Sequence, residues 1–295
     1  MAAAAVQNTL FEVESPSLST IINVASVPKR SVFRYPGGKT WLVPHIRRWI
    51  RSLPRAPEIF IEPFAGGGIV GLTIAFESLA PRVLLIEKDA DVAAVWRVML
   101  GGQAAVLANR VRSFELSRKT ALAVLTSRPR TLLDRAFVTL LRNRVQHGGI
   151  MAPGASLMRD GENGKGIQSR WYAETLARRI EAIAGIRDRI SFQQTDAFTA
   201  LQIYKHAANA AFFIDPPYMV AGRRLYRHCD VDHRQLFRLA AQVRGAVLMT
   251  YDDTPEVSRW AGEYGLQIKY VAMKSRQHTE KLEAVIGNDL AWTED

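Results

Sequence analysis

Short apolar runs alternate with stretches of helical spacing over most of this chain. Glu58-Ile59-Phe60-Ile61-Glu62 is a β-prone run that stops at Pro63-Phe64-Ala65-Gly66-Gly67-Gly68, and residues 69–79 follow as an apolar helix. Arg82-Val83-Leu84-Leu85-Ile86-Glu87 is a second buried strand, with a helix predicted over residues 90–100. Strand, helix, strand, helix in this order predicts a parallel α/β sheet. The same texture returns late in the chain. Residues 189–192 and 211–215 read as strands, residues 232–243 have helical spacing, and residues 246–250 form another strand. Residues 266–273 and 282–286 have the pattern of a closing hairpin, which predicts one antiparallel strand in an otherwise parallel sheet.

The middle of the chain differs. Residues 97–189 hold 17 Arg and Lys against 7 Asp and Glu, nearly the whole net charge of +11. The span reads as helices plus one long polar loop over residues 151–167, with glycines at 154, 161, 164 and 166. A loop of that length without structure of its own is usually functional or disordered. The simplest organisation is a poorly ordered arm over 1–30 with room for a short docked segment, an α/β domain begun over 31–100, a basic helical insertion over 101–189, and the domain completed over 190–295.

Composition narrows the function classes. The chain has 295 residues and 48% hydrophobic content, enough for a sizeable core. The basic excess suits an acidic partner such as nucleic acid or an anionic surface. A single cysteine, Cys229, allows no internal disulfide, consistent with a reducing compartment. No apolar run reaches the roughly 18 residues of a membrane span, and residues 1–6 lack the features of a signal peptide. The expectation is a cytoplasmic protein with no membrane partner and no evident obligate protein partner.

Gly66-x-Gly68-x-x-Gly71 follows one strand and opens a helix. Glycines there allow a tight turn and close approach of a ligand to the backbone. Glu87 ends the next strand, where its carboxylate can accept hydrogen bonds from two ribose hydroxyls. NAD and S-adenosylmethionine both present such a ribose, and the turn by itself does not choose between them. Gly37-Gly38-Lys39-Thr40 ends like a phosphate-binding loop, but Phe33 stands where that motif needs a further glycine.

Asp215-Pro216-Pro217-Tyr218 sits at the carboxyl end of a strongly apolar strand, where open α/β sheets place their sites. The two prolines stiffen the turn and remove two donors. What remains is a set of acceptors, the Asp215 carboxylate and the Pro216 carbonyl, beside the ring of Tyr218. Two acceptors aimed at the two N–H bonds of an aromatic amine pull its nitrogen toward tetrahedral geometry and free its lone pair for attack on a methyl sulfonium. A nucleobase offering such an amine must first leave the duplex stack.

Taken in chain order, Tyr35-Pro36-Gly37-Gly38-Lys39, Glu62-Pro63-Phe64-Ala65-Gly66-Gly67-Gly68 and Asp215-Pro216-Pro217-Tyr218 resemble the Dam-like, D12 class adenine-specific DNA methyltransferases. Asn143-Arg144 with Gly148-Gly149-Ile150, Thr195-Asp196-Ala197-Phe198 and Tyr251-Asp252-Asp253-Thr254 fit the same pattern, and the resemblance spans about residues 31–290. It implies a methyltransferase-type, Rossmann-like doubly wound α/β fold. It also implies S-adenosylmethionine as cofactor, and transfer of its methyl group to the N6 amine of adenine flipped out of double-stranded DNA.

The resemblance assigns roles residue by residue. Tyr35, Lys39, Phe64, Gly66, Gly68, Glu87, Asp196 and Phe198 would hold the cofactor, with Lys39 near its methionine moiety. Asp215, Pro216, Pro217 and Tyr218 would form the catalytic site. The basic span falls where the family carries its target-recognition region. Arg142, Arg144, Arg178 and Arg179 are candidates for phosphate contacts, and Arg223 and Arg224 for a loop closing over DNA. No metal is expected: His228, Cys229, Asp230 and His233 lack a second ligand pair at finger-like spacing. Rival expectations are the same chemistry on RNA adenine or cytosine N4, a dinucleotide-dependent oxidoreductase, and a binding module without catalysis.

Overall fold

The computed structural model describes residues 17–18, 27–35, 38–152, 154–159, 161, 166–219, 230–274 and 280–294. Arg223 and Arg224, with the surrounding basic loop, lie outside the described residues, as does most of the N-terminal arm. Among the described residues, eight strands form one sheet: β1 (Ser17–Leu18), β2 (Ile59–Glu62), β3 (Arg82–Ile86), β4 (Ile190–Gln193), β5 (Ala210–Ile214), β6 (Ala246–Asp252), β7 (Gln267–Lys274) and β8 (Glu280–Gly287). Their order is β1-β7-β8-β6-β5-β2-β3-β4. Every pairing is parallel except those of β8 with β6 and β7, so the predicted antiparallel strand is β8.

Among the described residues, ten α-helices accompany the sheet. They are α1 (Val43–Ser52), α2 (Ile69–Phe76), α3 (Ala90–Leu100), α4 (Ala104–Ser113), α5 (Arg118–Thr126), α6 (Leu132–Val145), α7 (Ala173–Gly185), α8 (Ala197–Tyr204), α9 (His233–Ala241) and α10 (Pro255–Glu263). The period-two alternation of the strands divides them between two cores. Phe60, Leu85, Phe213 and Leu248 pack into one core with residues of α1, α2, α3, α4, α6 and α7. Their neighbours Ile61, Leu84, Phe212 and Val247 pack into the other with α8, α9 and α10. Central strands buried on both faces have to be apolar throughout, which is why the sequence shows continuous runs. The basic span is not a separate body: Val111, Phe137 and Ile180 of its helices share a core with Val83 of the sheet.

Chain order places the site. From β2 the chain winds outward through β3 to β4, then returns to the other side of β2 as β5 and β6. Strand order reverses between β2 and β5, and the carboxyl ends at such a reversal leave an open crevice. The end of β2 delivers Pro63 to Gly68, and the end of β5 delivers Asp215 to Tyr218.

Local sequence sets several boundaries. Pro44 lies in the first turn of α1, where its missing N–H costs no intrahelical bond. The stretch Leu42-Val43-Pro44 therefore starts a helix. Asp89 caps α3 by accepting from the N–H groups of Asp91 at 2.8 Å and Val92 at 3.3 Å. Capping boxes built on Ser117 and Thr131 open α5 and α6. The segment expected as a structureless loop is in part docked. Met158 N–H donates to the Val145 carbonyl at 2.9 Å and His147 N–H to Ser156 at 3.1 Å, and Met151, Met158 and Ile167 are buried. Apolar side chains among the polar ones hold it down. Among the described residues, no single helix is long and apolar enough to cross a membrane.

Candidate active site

The crevice is a cavity of about 1000 Å³, at the upper end of the range usual for small-molecule sites. Its floor is the turn after β2. Gly66 and Gly68 adopt φ of 47° and 60°, left-handed values that glycine takes without strain. The turn is closed by the Gly68 N–H donating to the Ala65 carbonyl at 2.6 Å. Beneath it, the Trp96 indole N–H donates to the Gly66 carbonyl at 2.9 Å. Trp96 is fully buried and braces the turn from the core side.

Glu87 binds the turn to the end of β3. One carboxylate oxygen accepts from the Gly66 N–H at 3.0 Å and the other from the Asp89 N–H at 2.8 Å. Each oxygen keeps a lone pair for a further donor. Burial raises the Glu87 carboxyl above its ordinary range, opposed by those backbone N–H groups. Phe64, Asp89, Val92 and Ala197 also line this part of the cavity, and the ring of Tyr35 lies against Gly66 and Gly67. A Cβ on Gly67 would sit 3.1 Å from Tyr35 Cδ2, so the wall is shaped to glycine.

Asp215, Pro217 and Tyr218 line the same cavity, while Pro216 is buried behind them. Lys39 joins them from the turn before α1. Its ammonium lies 2.9 Å from Asp215 Oδ1, 2.9 Å from Glu283 Oε1 and 3.0 Å from the Tyr218 hydroxyl. Thr250 on β6 donates its hydroxyl to Asp215 Oδ1 at 2.8 Å. Lys39 is only 2% exposed. Burial works against its charge, but the Asp215 and Glu283 carboxylates and the Tyr218 hydroxyl hold its pKa well above the ordinary value. Burial likewise raises Tyr218, which stays a protonated phenol at neutral pH.

Glu62, the last residue of β2, is a second buried acid at the cavity wall. Its Oε2 accepts from the Gly71 N–H at 2.8 Å. Burial pushes its carboxyl up to about 8, and the nearby Asp215 charge adds to the rise.

The other expected residues fall into two groups. Arg144 and Arg179 line the cavity, together with Lys29, Arg34 and Arg170. Arg144 is 4% exposed and donates to the Val32 carbonyl, and Arg179 donates to Ser31 at 3.0 Å. Burial lowers Arg144 to about 9, with repulsion from Arg179 and Arg34 adding to it. Asp196, Phe198, Arg142 and Arg178 are not among the lining residues. Asp196 caps α8 through the Phe198 N–H at 2.8 Å and faces Lys88 at 3.5 Å. Arg142 lies 3.5 Å from Asp91, and Arg178, well exposed, pairs with Glu174 at 2.7 Å.

Sequence reasoning missed Glu62, Glu283 and Thr250 as site residues. The signal for Glu283 was an acid between Leu282 and Ala284, inside the apolar run 282–286. Glu62 was visible only as a letter in a motif, with no hint that its carboxyl turns inward.

The fold is a Rossmann-like, doubly wound α/β sheet with its cavity at the strand-order reversal. More particularly, the family model of the D12 class N6 adenine-specific DNA methyltransferase matches residues 35–102, the stretch that carries Tyr35, Lys39, the glycine turn and Glu87. The match bears out the family resemblance over that stretch, and with it the reading as an S-adenosylmethionine-dependent methyltransferase. No curated protein matches the chain. Among solved structures, the rRNA methyltransferase aviRa from Streptomyces viridochromogenes is similar at 15% identity, covering 94% of this chain and 96% of that one, with a TM-score of 0.40. P. horikoshii TYW2 in complex with MeSAdo is similar at 13% identity, covering 82% and 60%, with a TM-score of 0.32. The precorrin-6y C5,15-methyltransferase from Geobacter metallireducens GS-15 is similar at 8% identity, covering 82% and 85%, with a TM-score of 0.34. Likenesses this distant carry no argument about substrate.

Proposed function

We propose that the protein transfers a methyl group to the N6 amine of adenine in DNA. The observation that carries this reading is the meeting of Asp215 and Tyr218 with the glycine turn in one cavity. S-adenosylmethionine, when bound, supplies an electrophilic methyl group on a sulfonium. In this reading Glu87 accepts from the ribose hydroxyls, and Gly66 and Gly68 leave room for the nucleoside against the backbone. Tyr35 and Phe64 form the apolar walls, and Asp196 and Phe198 stand by the adenine end with Ala197.

The target amine donates to the Asp215 carboxylate and the Pro216 carbonyl. Losing planarity, its nitrogen regains the lone pair needed for in-line attack on the methyl carbon. The N–C bond would form as the methyl–sulfur bond breaks, with the neutral thioether as leaving group and one amine proton passing to solvent. No covalent bond to the protein forms. Tyr218 offers a ring face for the extruded base. Arg144 and Arg179, with Arg34, Arg170 and Lys29, make one wall of the cavity basic, which suits a phosphate backbone. Arg142, Arg178, Arg223 and Arg224 remain candidates for further phosphate contacts, and the helical span over 101–189 for target recognition.

The test is transfer of tritiated methyl from S-adenosylmethionine to unmethylated genomic DNA, followed by digestion and chromatography of the nucleosides. Label in N6-methyldeoxyadenosine is the expected result. Label only in a cytosine product, or only when RNA replaces DNA, sinks the reading while leaving the methyltransferase in place.

A further inference from the structure

We propose that Glu283 is a positioning residue for methyl transfer, acting on Asp215 through Lys39. The inference rests on the reading of Asp215 as the acceptor for the target amine. Glu283 sits on β8, opposite Asp252 of β6 and Val271 of β7, and is 1% exposed. It is not among the cavity's lining residues. Lys39 connects it to the site, with its ammonium 2.9 Å from Glu283 Oε1 and 2.9 Å from Asp215 Oδ1.

An acid buried this deeply is expensive to keep unless its charge is used. Its use follows from the local charge count. Lys39 with Asp215 alone would form a neutral pair, and the ammonium would draw the Asp215 carboxylate away from any other donor. Glu283 shares the ammonium. Burial raises the Glu283 carboxyl and the Lys39 ammonium opposes that rise. With both carboxylates ionised the three groups carry one net negative charge, and Asp215 keeps acceptor strength for an N–H in the cavity. An amine that attacks a methyl group becomes cationic as its new bond forms. A net negative, preorganised cluster beside it favours that change. Glu283 also gives the ammonium a second anionic anchor, at 2.9 Å, besides Asp215.

The experiment uses the full chain and the variants Glu283→Gln, Glu283→Asp, Lys39→Met and Asp215→Asn. Thermal stability, measured without cofactor or nucleic acid, is read as a double-mutant cycle between Glu283→Gln and Asp215→Asn. The cycle is repeated with Lys39→Met in the background. Coupling that is present with Lys39 and gone without it is expected. Single-turnover methyl transfer is then followed with genomic DNA and total RNA together as acceptors. Glu283→Gln should slow it at least about tenfold while the Kd for S-adenosylmethionine moves less than about twofold. Glu283→Asp, which keeps the charge one methylene away, should recover part of the rate.

Absence of coupling overturns the proposal whatever the activity. So does an unchanged rate in Glu283→Gln, or a rate that falls only in step with cofactor affinity. Label that enters RNA alone overturns the DNA reading and leaves the role of Glu283 standing.

Discussion

The ring of Trp96 lies directly under Gly68, so close that a Cβ on Gly68 would stand 2.7 Å from Trp96 Cζ2. The same indole holds the Gly66 carbonyl through its N–H. The left-handed glycine turn and the buried tryptophan are one unit, and the shape of the cavity floor depends on both.

Gly68→Ala therefore meets two penalties. The φ of 60° is unfavourable for alanine, and the added methyl collides with the Trp96 ring. Together they should destabilise the fold by roughly 2–4 kcal/mol, several degrees in melting temperature. Calorimetry checks this, and a variant melting with the wild type would show that the turn can relax.

Asn143 is fully buried and ties two distant segments together. Its Oδ1 accepts from the Arg34 N–H at 2.8 Å, and its Nδ2 donates to the carbonyls of Arg34 at 2.8 Å and Gly149 at 2.9 Å. Asn143→Ala leaves buried backbone groups unpaired and should cost about 2–4 kcal/mol. Amide exchange should rise at Arg34 and Gly149 before it rises in the central strands. Uniform loss of protection would argue against a local clamp.

Glu87→Gln removes the charge that both turns converge on. Weaker acceptance from the ribose and one unpaired backbone N–H should raise the Kd for S-adenosylmethionine roughly 10- to 100-fold. Isothermal titration reads the effect directly. An unchanged Kd would move the ribose elsewhere in the cavity.

Asp215→Ala should lower methyl transfer roughly 100-fold or more, with cofactor affinity held within a few-fold. Lys39 keeps Glu283 as a partner, so the fold should survive. Near-normal turnover in a folded variant would end the proposed mechanism.

Glu62 makes stability depend on pH. Its carboxyl is raised by burial to about 8, against an ordinary value of 4.5 in the unfolded chain. Between these values the folded protein holds a proton that the unfolded chain has released. Its contribution is fully present below about 4.5 and is lost as pH rises through about 8. Relative to Glu62→Gln, the wild type should lose melting temperature across that window. Parallel curves for the two proteins would show that Glu62 ionises normally in the fold.

The sequence by itself determined whatever depends on neighbours along the chain. Strand, glycine turn and helix at Ile59 to Gly71 form a local unit, and so do the apolar strand and the turn at Asp215. Apolar runs marked β2 to β8, the central ones because a strand buried on both faces has to be apolar throughout; β1, two residues of the N-terminal arm, gave no such signal. The helices α1, α8 and α10 were not read from periodicity; in α1 and α10 a proline in the first turn interrupts the pattern at the start. Tertiary structure alone decided which distant side chains meet. Lys39 and Glu283 come from opposite ends of the chain and carry no mutual signal in sequence, since an ion pair has no period. Arg144 looked like a surface cation on a basic helix. It is buried because α6 packs against the segment around Val32, and no helical spacing foretells that contact. Glu62 ends a strand like any exposed acid, and only the closure of α2 over β2 takes its carboxyl out of water.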